Sequence, residues 1–299
     1  MAMKRLTLTA FLGAMCLSMV GQSSEELLLY SEKKVIIPEE HIHDGGGNLI
    51  VAKITNPTLT AFVPMDENKN KTAVIICPGG GYTNLHIQRE GFKIAEAFNE
   101  QGIAAFVLKH RLPDSEIVED GAYVPLADAQ RAIQMTRENA EKWGIDPDKI
   151  GIMGFSAGGH LASTAGVHHN TPFIKNEKNI SLRPDFMILI YPVVSFDDNV
   201  GHVGSKKRLL GNLPEKEGTE FFSNELHVNS NTPKTILFHA NDDSLVPVEN
   251  SLIFYNKLRQ HNVSAELHAY SKGEHGFFQT PDFSEWFHRC IQWMKTEGL

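Results

Sequence analysis

Cysteine is scarce in this chain. Three occur in 299 residues, at positions 16, 77 and 290, and no two are spaced as C-x-x-C. That excludes a zinc ribbon and a thioredoxin-type redox pair. Position 16 falls in a segment read below as cleaved. Cys77 ends an apolar strand and Cys290 lies on the apolar face of the last helix, so two buried free thiols are expected rather than a disulfide. Basic charge is also short: 28 Lys and Arg face 36 Asp and Glu, the formal net charge is -8, and no basic stripe is present. Nucleic acid is therefore not expected as a partner. The only close histidine groupings are His41-Ile42-His43 and His168-His169. Neither has the specificity of H-E-x-x-H, and both are read as loop and helix-end residues. No metal and no cofactor is expected.

Long apolar runs are missing too, except at the start. Lys4-Arg5 precedes an apolar stretch over residues 6–20, which closes on Gly21-Gln22-Ser23-Ser24. A basic start, a short apolar run and a small-residue end make residues 1–22 a secretory signal peptide. The run is too short for a transmembrane helix. The expectation is export to the periplasm or beyond, with no stable membrane insertion after cleavage. The remainder is 41% hydrophobic when counted with the leader, enough for one large core over residues 23–299. No internal repeat and no second domain is visible, and nothing fixes the oligomeric state.

Residues 23–34 read as a loose leader. Residues 35–37 and 49–54 read as opening strands around the Gly-rich turn at 43–48, and 58–63 as a further strand before a polar loop at 66–71. The pattern then changes. Residues 73–77, 103–108, 186–190 and 235–239 are short, continuously apolar runs, as strands buried on both faces should be. Helical periodicity separates them: Phe92, Ala95 and Phe98; then 124–143; then 248–260. Residues 265–270 alternate like an edge strand. Phe283, Trp286, Phe287, Cys290 and Met294 stripe a final helix. This alternation predicts an α/β fold with a mostly parallel, doubly wound sheet. One long irregular connection, 195–231, reads equally as a lid or as a solvated insertion.

Gly154-Phe155-Ser156-Ala157-Gly158 interrupts the pattern between a buried strand and a helix-compatible segment. It is G-x-S-x-G in strand–turn–helix context, which presents a serine hydroxyl on a sharp turn. A serine nucleophile needs a base, and the base needs a carboxylate to orient it. His275 follows the last strand, and Asp242-Asp243 follow the one before it. Both lie beyond carboxyl ends of strands, where open α/β sheets bind ligands. Either aspartate fits at this point. The glycine run in Cys77-Pro78-Gly79-Gly80-Gly81-Tyr82 follows another buried strand. The sequence lacks G-x-x-x-x-G-K-[ST] and G-x-G-x-x-G, so a phosphate loop is disfavoured. Consecutive glycines let backbone N–H groups face an oxyanion, with Gly80 or Gly81 joining Ala157 as donors.

These residues together resemble the α/β-hydrolase fold, and more narrowly its secreted bacterial carbohydrate-esterase branch. The likeness runs over about residues 72–280. It is carried by the Pro-Gly-Gly-Gly-Tyr turn, the helix at 126–133, the block at 146–162, the acid loop and the Gly273-Glu274-His275-Gly276-Phe277 turn. The resemblance favours Asp243 over Asp242, because Asp-x-x-Val-Pro is the acid-loop pattern. It implies a Ser156–His275–Asp243 acyl-enzyme mechanism on a small-molecule or polysaccharide ester. Acetyl is the expected acyl group and a plant-cell-wall carbohydrate the expected carrier, by analogy with acetyl xylan and feruloyl esterases. A general carboxylesterase or lipase-like hydrolase is the alternative, ahead of a peptidase or a non-catalytic binding protein on the same fold. Phe196, Phe221 and Phe222 in the 195–231 connection are candidates to pack on sugar rings or, alternatively, to fasten the insertion to the core. The chain departs from the family pattern at Cys77, where a histidine commonly orients the oxyanion loop.

Overall fold

The computed structural model describes residues 24–31, 37–65, 70–114 and 121–299. The expected signal peptide, most of the strand at 35–37 and most of the polar loop at 66–71 lie outside them. In chain order the strands are β1 (Ser24–Leu28), β2 (Glu40–His43), β3 (Leu49–Ala52), β4 (Thr58–Phe62), β5 (Ala73–Cys77), β6 (Ala104–Lys109), β7 (Ile150–Phe155), β8 (Phe186–Ile190), β9 (Lys234–Ala240) and β10 (Ala265–Tyr270). The helices are α1 (Lys93–Glu100), α2 (Val124–Glu138), α3 (Ala140–Trp143), α4 (Ala157–Val167), α5 (Val203–Leu210), α6 (Glu215–Phe222), α7 (Glu249–Gln260) and α8 (Phe283–Thr296).

Eight strands form one sheet in the order β1-β4-β6-β5-β7-β8-β9-β10. From β6 to β10 every pairing is parallel, while β4 runs antiparallel to both β1 and β6. The apolar runs explain themselves by burial on both faces. In β5, Ala73, Ile75 and Cys77 join the core shared with α2, α4 and α7. Val74 and Ile76 join the opposite core, shared with α1 and α8. This is the α/β-hydrolase arrangement. Strand order reverses at β5, because β6 lies on one side of it and β7 on the other. A crevice opens at the carboxyl ends of the strands flanking such a switch point. The glycine run leaves β5 there and Ser156 leaves β7 there.

Four local expectations are corrected. The leader is not loose: residues 24–28 are β1, paired along β4 from Ser24 opposite Phe62 to Leu28 opposite Thr58. Its partly exposed, polar residues hid a strand that owes its existence to backbone pairing at a sheet edge. The opening hairpin is β2 with β3, a separate two-stranded sheet, so His41 and His43 lie on a strand rather than a loop. Asp44 closes its turn by accepting the amides of Gly46 and Asn48 at 2.8 and 2.9 Å. The helix expected over 124–143 breaks at Asn139, whose side-chain amide donates to the Met135 carbonyl at 2.8 Å in competition with the helix backbone.

The connection at 195–231 is the fourth. It is built from α5 and α6 rather than irregular chain. Phe196 is fully buried and Phe222 nearly so, in a small cluster with Tyr82, Ala157, Val193 and Val246. Phe196 stacks on His160 at 4.4 Å and Phe221 on His168 at 4.0 Å. Phe196 and Phe222 are enclosed by protein, and partly buried Phe221 lays one face on His168, so these rings fasten the insertion to the core.

Candidate active site

Ser156 is held in a conformation that L-residues rarely adopt, with φ 53° and ψ −119°. Such strain persists only when the surroundings over-determine it, and here they do. The Ser156 amide donates to the Ile190 carbonyl at 3.0 Å, and its own carbonyl accepts the amides of His160 and Val193, each at 3.1 Å. The flanking glycines permit the approach of three backbones. A Cβ on Gly154 would overlap the Gly158 carbonyl, and one on Gly158 would overlap the carbonyls of Cys77 and Pro78. The elbow is thereby clamped against the glycine loop.

Three side chains from three strand ends meet at the elbow. The Ser156 hydroxyl lies 2.9 Å from His275 Nε2, and His275 Nδ1 lies 2.7 Å from Asp243 Oδ2. With Nδ1–H donating to the carboxylate, Nε2 is free to accept the serine proton. Asp243 Oδ1 accepts the amides of Leu245 and Val246 at 3.0 and 2.8 Å. Burial alone would raise the Asp243 pKa. Hydrogen bonds from His239 and His275, with the His275 charge and the Val246 amide, outweigh it and hold the carboxyl well below the usual carboxylate range.

Asp242 points elsewhere. Its carboxylate accepts the Glu274 amide at 2.9 Å and faces Lys272 at 3.5 Å. It ties the acid loop to the turn that carries His275, and only Asp243 reaches the imidazole.

The glycine loop lies against the nucleophile: a Cβ on Gly79 would stand 3.0 Å from that of Ser156. Gly80 and Gly81 adopt φ of 141° and 63°, values that favour glycine. Among the described residues, the amides of Gly80, Gly81 and Ala157 donate to no protein acceptor. Unspent donors on the loop that packs against the serine and on the residue after it suit a developing oxyanion. Cys77 is fully buried, and burial pushes its thiol pKa up, so it stays a neutral thiol beneath the loop. No group of three or more His, Cys, Asp or Glu with metal-binding placement occurs among the described residues.

Residues 59–258 match the BD-FAE family. The chain belongs to the BD-FAE family. It is 36% identical to the acetylxylan esterase of Xylanibacter ruminicola over 233 residues, which cover 77% of this chain and 44% of that protein. It is 37% identical to endo-1,4-beta-xylanase B of Butyrivibrio fibrisolvens over 234 residues, 77% of this chain and 36% of that one. The chain thus spans less than half the length of both curated relatives. Among solved structures, the acetyl ester-xyloside bifunctional hydrolase from Caldicellulosiruptor lactoaceticus superposes with a TM-score of 0.78 at 37% identity. That likeness covers 94% of this chain and 99% of the other.

The BD-FAE site carries a supporting layer that sequence reasoning missed. His239, at the end of β9, is fully buried. Its Nε2 lies 2.9 Å from the Val246 carbonyl and 3.2 Å from Asp243 Oδ2, while Nδ1 lies 2.8 Å from the Ser251 hydroxyl. Two acceptors on Nε2 place the proton there, and Nδ1 accepts from Ser251. His160, at the start of α4, accepts the Tyr82 hydroxyl on Nδ1 and donates from Nε2 to the Phe222 carbonyl, both at 2.8 Å. It joins the glycine loop to the insertion through the helix that follows Ser156. Both histidines sit in otherwise apolar segments, and a lone buried polar residue in such a run was the available signal.

Proposed function

We propose that this chain is a serine esterase that removes short acyl groups, acetyl above all, from plant-cell-wall carbohydrates. The observation that carries the reading is the unbroken hydrogen-bond line from Ser156 through His275 to Asp243, beside unspent backbone donors. In the proposed reaction Ser156 Oγ attacks the ester carbonyl as His275 Nε2 takes its proton. Asp243 stabilises the resulting imidazolium, and the amides of Ala157 and of Gly80 or Gly81 hold the oxyanion. His275 then protonates the departing sugar hydroxyl. Water, activated by the same imidazole, releases the acid from Ser156.

The acyl and sugar assignment rests on the names of the relatives, an acetylxylan esterase and an acetyl ester-xyloside hydrolase. Its test is acyl-chain dependence. kcat/KM should fall from acetyl to octanoyl aryl esters, and acetylated xylan should release acetate. Preference for octanoyl, or no acetate from any acetylated polysaccharide, favours a lipase-like or general carboxylesterase. We also propose export to the periplasm or the medium, from the basic and apolar start of the sequence. N-terminal sequencing of the protein from its host should begin near Ser23; a cytoplasmic protein retaining Met1 contradicts this.

A further inference from the structure

Gly79 opens the glycine loop, and its amide is not available to an oxyanion. It donates at 2.8 Å to Oε2 of Glu90, a carboxylate only 6% exposed, in the turn that leads into α1. Oε1 of the same carboxylate accepts the Tyr191 hydroxyl at 3.0 Å and faces Arg89 Nη1 at 3.4 Å. Tyr191 follows β8 with φ 35°, and its ring stands edge-on to the His275 ring at 4.8 Å. Burial, with Glu90 beside it, raises the Tyr191 pKa well above the ordinary value, so the phenol stays a donor. Arg89 reaches further. Its guanidinium donates to the carbonyl of Gly276, the residue after His275, and stacks 4.0 Å over the Phe278 ring.

One dipeptide, Arg89-Glu90, therefore grips the oxyanion loop, the strand end beneath the imidazole and the turn that carries the imidazole. A buried carboxylate costs stability unless it is compensated. This one has three donors, two of them on chain segments that must be held in register for the proposed reaction.

We infer that Glu90, with Arg89, is a positioning residue that fixes the peptide plane of Gly79 and so sets the following loop amides against Ser156. The inference rests on the serine-esterase reading above. Glu90 acts through Gly79 and Tyr191. Its effect is on stabilisation of the transition state, not on substrate binding.

The test compares Glu90→Ala, Glu90→Gln and Tyr191→Phe with the wild type on 4-nitrophenyl acetate, and measures inhibition by an alkyl boronic acid, which mimics the tetrahedral intermediate. Ser156→Ala serves as the blank. Loss of one oxyanion donor costs about 100- to 1000-fold in kcat. Glu90→Ala should approach the lower end of that range with KM changed less than about 3-fold, and boronate affinity should fall in step with kcat/KM. Glu90→Gln keeps an acceptor for Gly79 and should recover most of the loss. Tyr191→Phe should lose activity to an intermediate degree. Should Glu90→Ala not fold, Tyr191→Phe decides the matter. Wild-type kcat and boronate affinity in Tyr191→Phe overturn the inference, as does a Glu90→Ala protein with unchanged kcat. A fall in kcat with boronate affinity unchanged also overturns it. Wild-type enzyme without Ser156-dependent turnover overturns the esterase reading and this inference with it.

Discussion

Replacing Asp243 by asparagine changes one oxygen to an amide nitrogen, and the geometry dictates which one. Oδ1 is fixed as an acceptor by two backbone amides, those of Leu245 and Val246. The new NH2 group must therefore take the place of Oδ2, facing His275 Nδ1 at 2.7 Å and His239 Nε2 at 3.2 Å. Both ring nitrogens are donors in the native arrangement, so donor meets donor twice. His275 escapes by moving its proton to Nε2 and accepting from the new amide on Nδ1. That tautomer aims N–H at the Ser156 hydroxyl and leaves no base to receive its proton. The template for a triad with the wrong tautomer is a loss on the order of 10⁴ in kcat, which corresponds to about 5 kcal/mol in the barrier. Asp242→Asn is the control. Its carbonyl still accepts the Glu274 amide, and the pairing with exposed Lys272, weakened by solvent, is lost. Steady-state hydrolysis of 4-nitrophenyl acetate by both variants, with circular dichroism to confirm folding, reads the difference. Asp243→Asn within about tenfold of wild type, or Asp242→Asn the more damaged of the two, refutes the reasoning.

Two further outcomes follow from buried groups. Burial is the main cause that lowers the His160 pKa from 6.5 to about 4, against the raising effect of its bond to the Phe222 carbonyl. Between those values the unfolded chain binds the extra proton and the folded chain does not, so stability falls as pH drops from 6.5 toward 4, by about 3 kcal/mol from this group. Urea titrations at pH 7 and pH 4.5 should show the loss, and His160→Gln should flatten the dependence; an equal slope in the variant refutes the assignment. Cys77 and Cys290 are buried free thiols whose pKa values burial pushes up. Iodoacetamide should leave both unmodified in the native protein and label both in denaturant, and a Cys77–Cys290 disulfide or fast native labelling contradicts this.

The central strands were legible because each is a short apolar run packed on both faces, a pattern that owes little to neighbours. β1 was not, since Ser24, Glu25 and Glu26 are exposed at an edge and only pairing with β4 makes them a strand. In the 195–231 connection the phenylalanines were visible and their direction was not. Phe196 and Phe222 turn inward into a buried cluster with Tyr82; Phe222 ends an eight-residue helix too short to announce its direction, and Phe196 lies outside any helix. The positions of Ser156 and His275 at strand ends followed from element order. The choice between Asp242 and Asp243 depends on which carboxylate faces the imidazole, a matter of turn geometry. Glu90 and His239 went unnoticed for a different reason. A glutamate at the start of a helix reads as solvated, and its burial against Gly79 and Tyr191 arises only when three distant segments converge.

The central claim is that Ser156 is the nucleophile. It is tested most directly by reacting the folded protein with a serine-reactive phosphonate and mapping the adduct by peptide mass spectrometry. The account predicts one adduct, on Ser156, formed in parallel with loss of ester hydrolysis and absent from Ser156→Ala. An adduct on another serine, or full hydrolytic activity in Ser156→Ala, contradicts it.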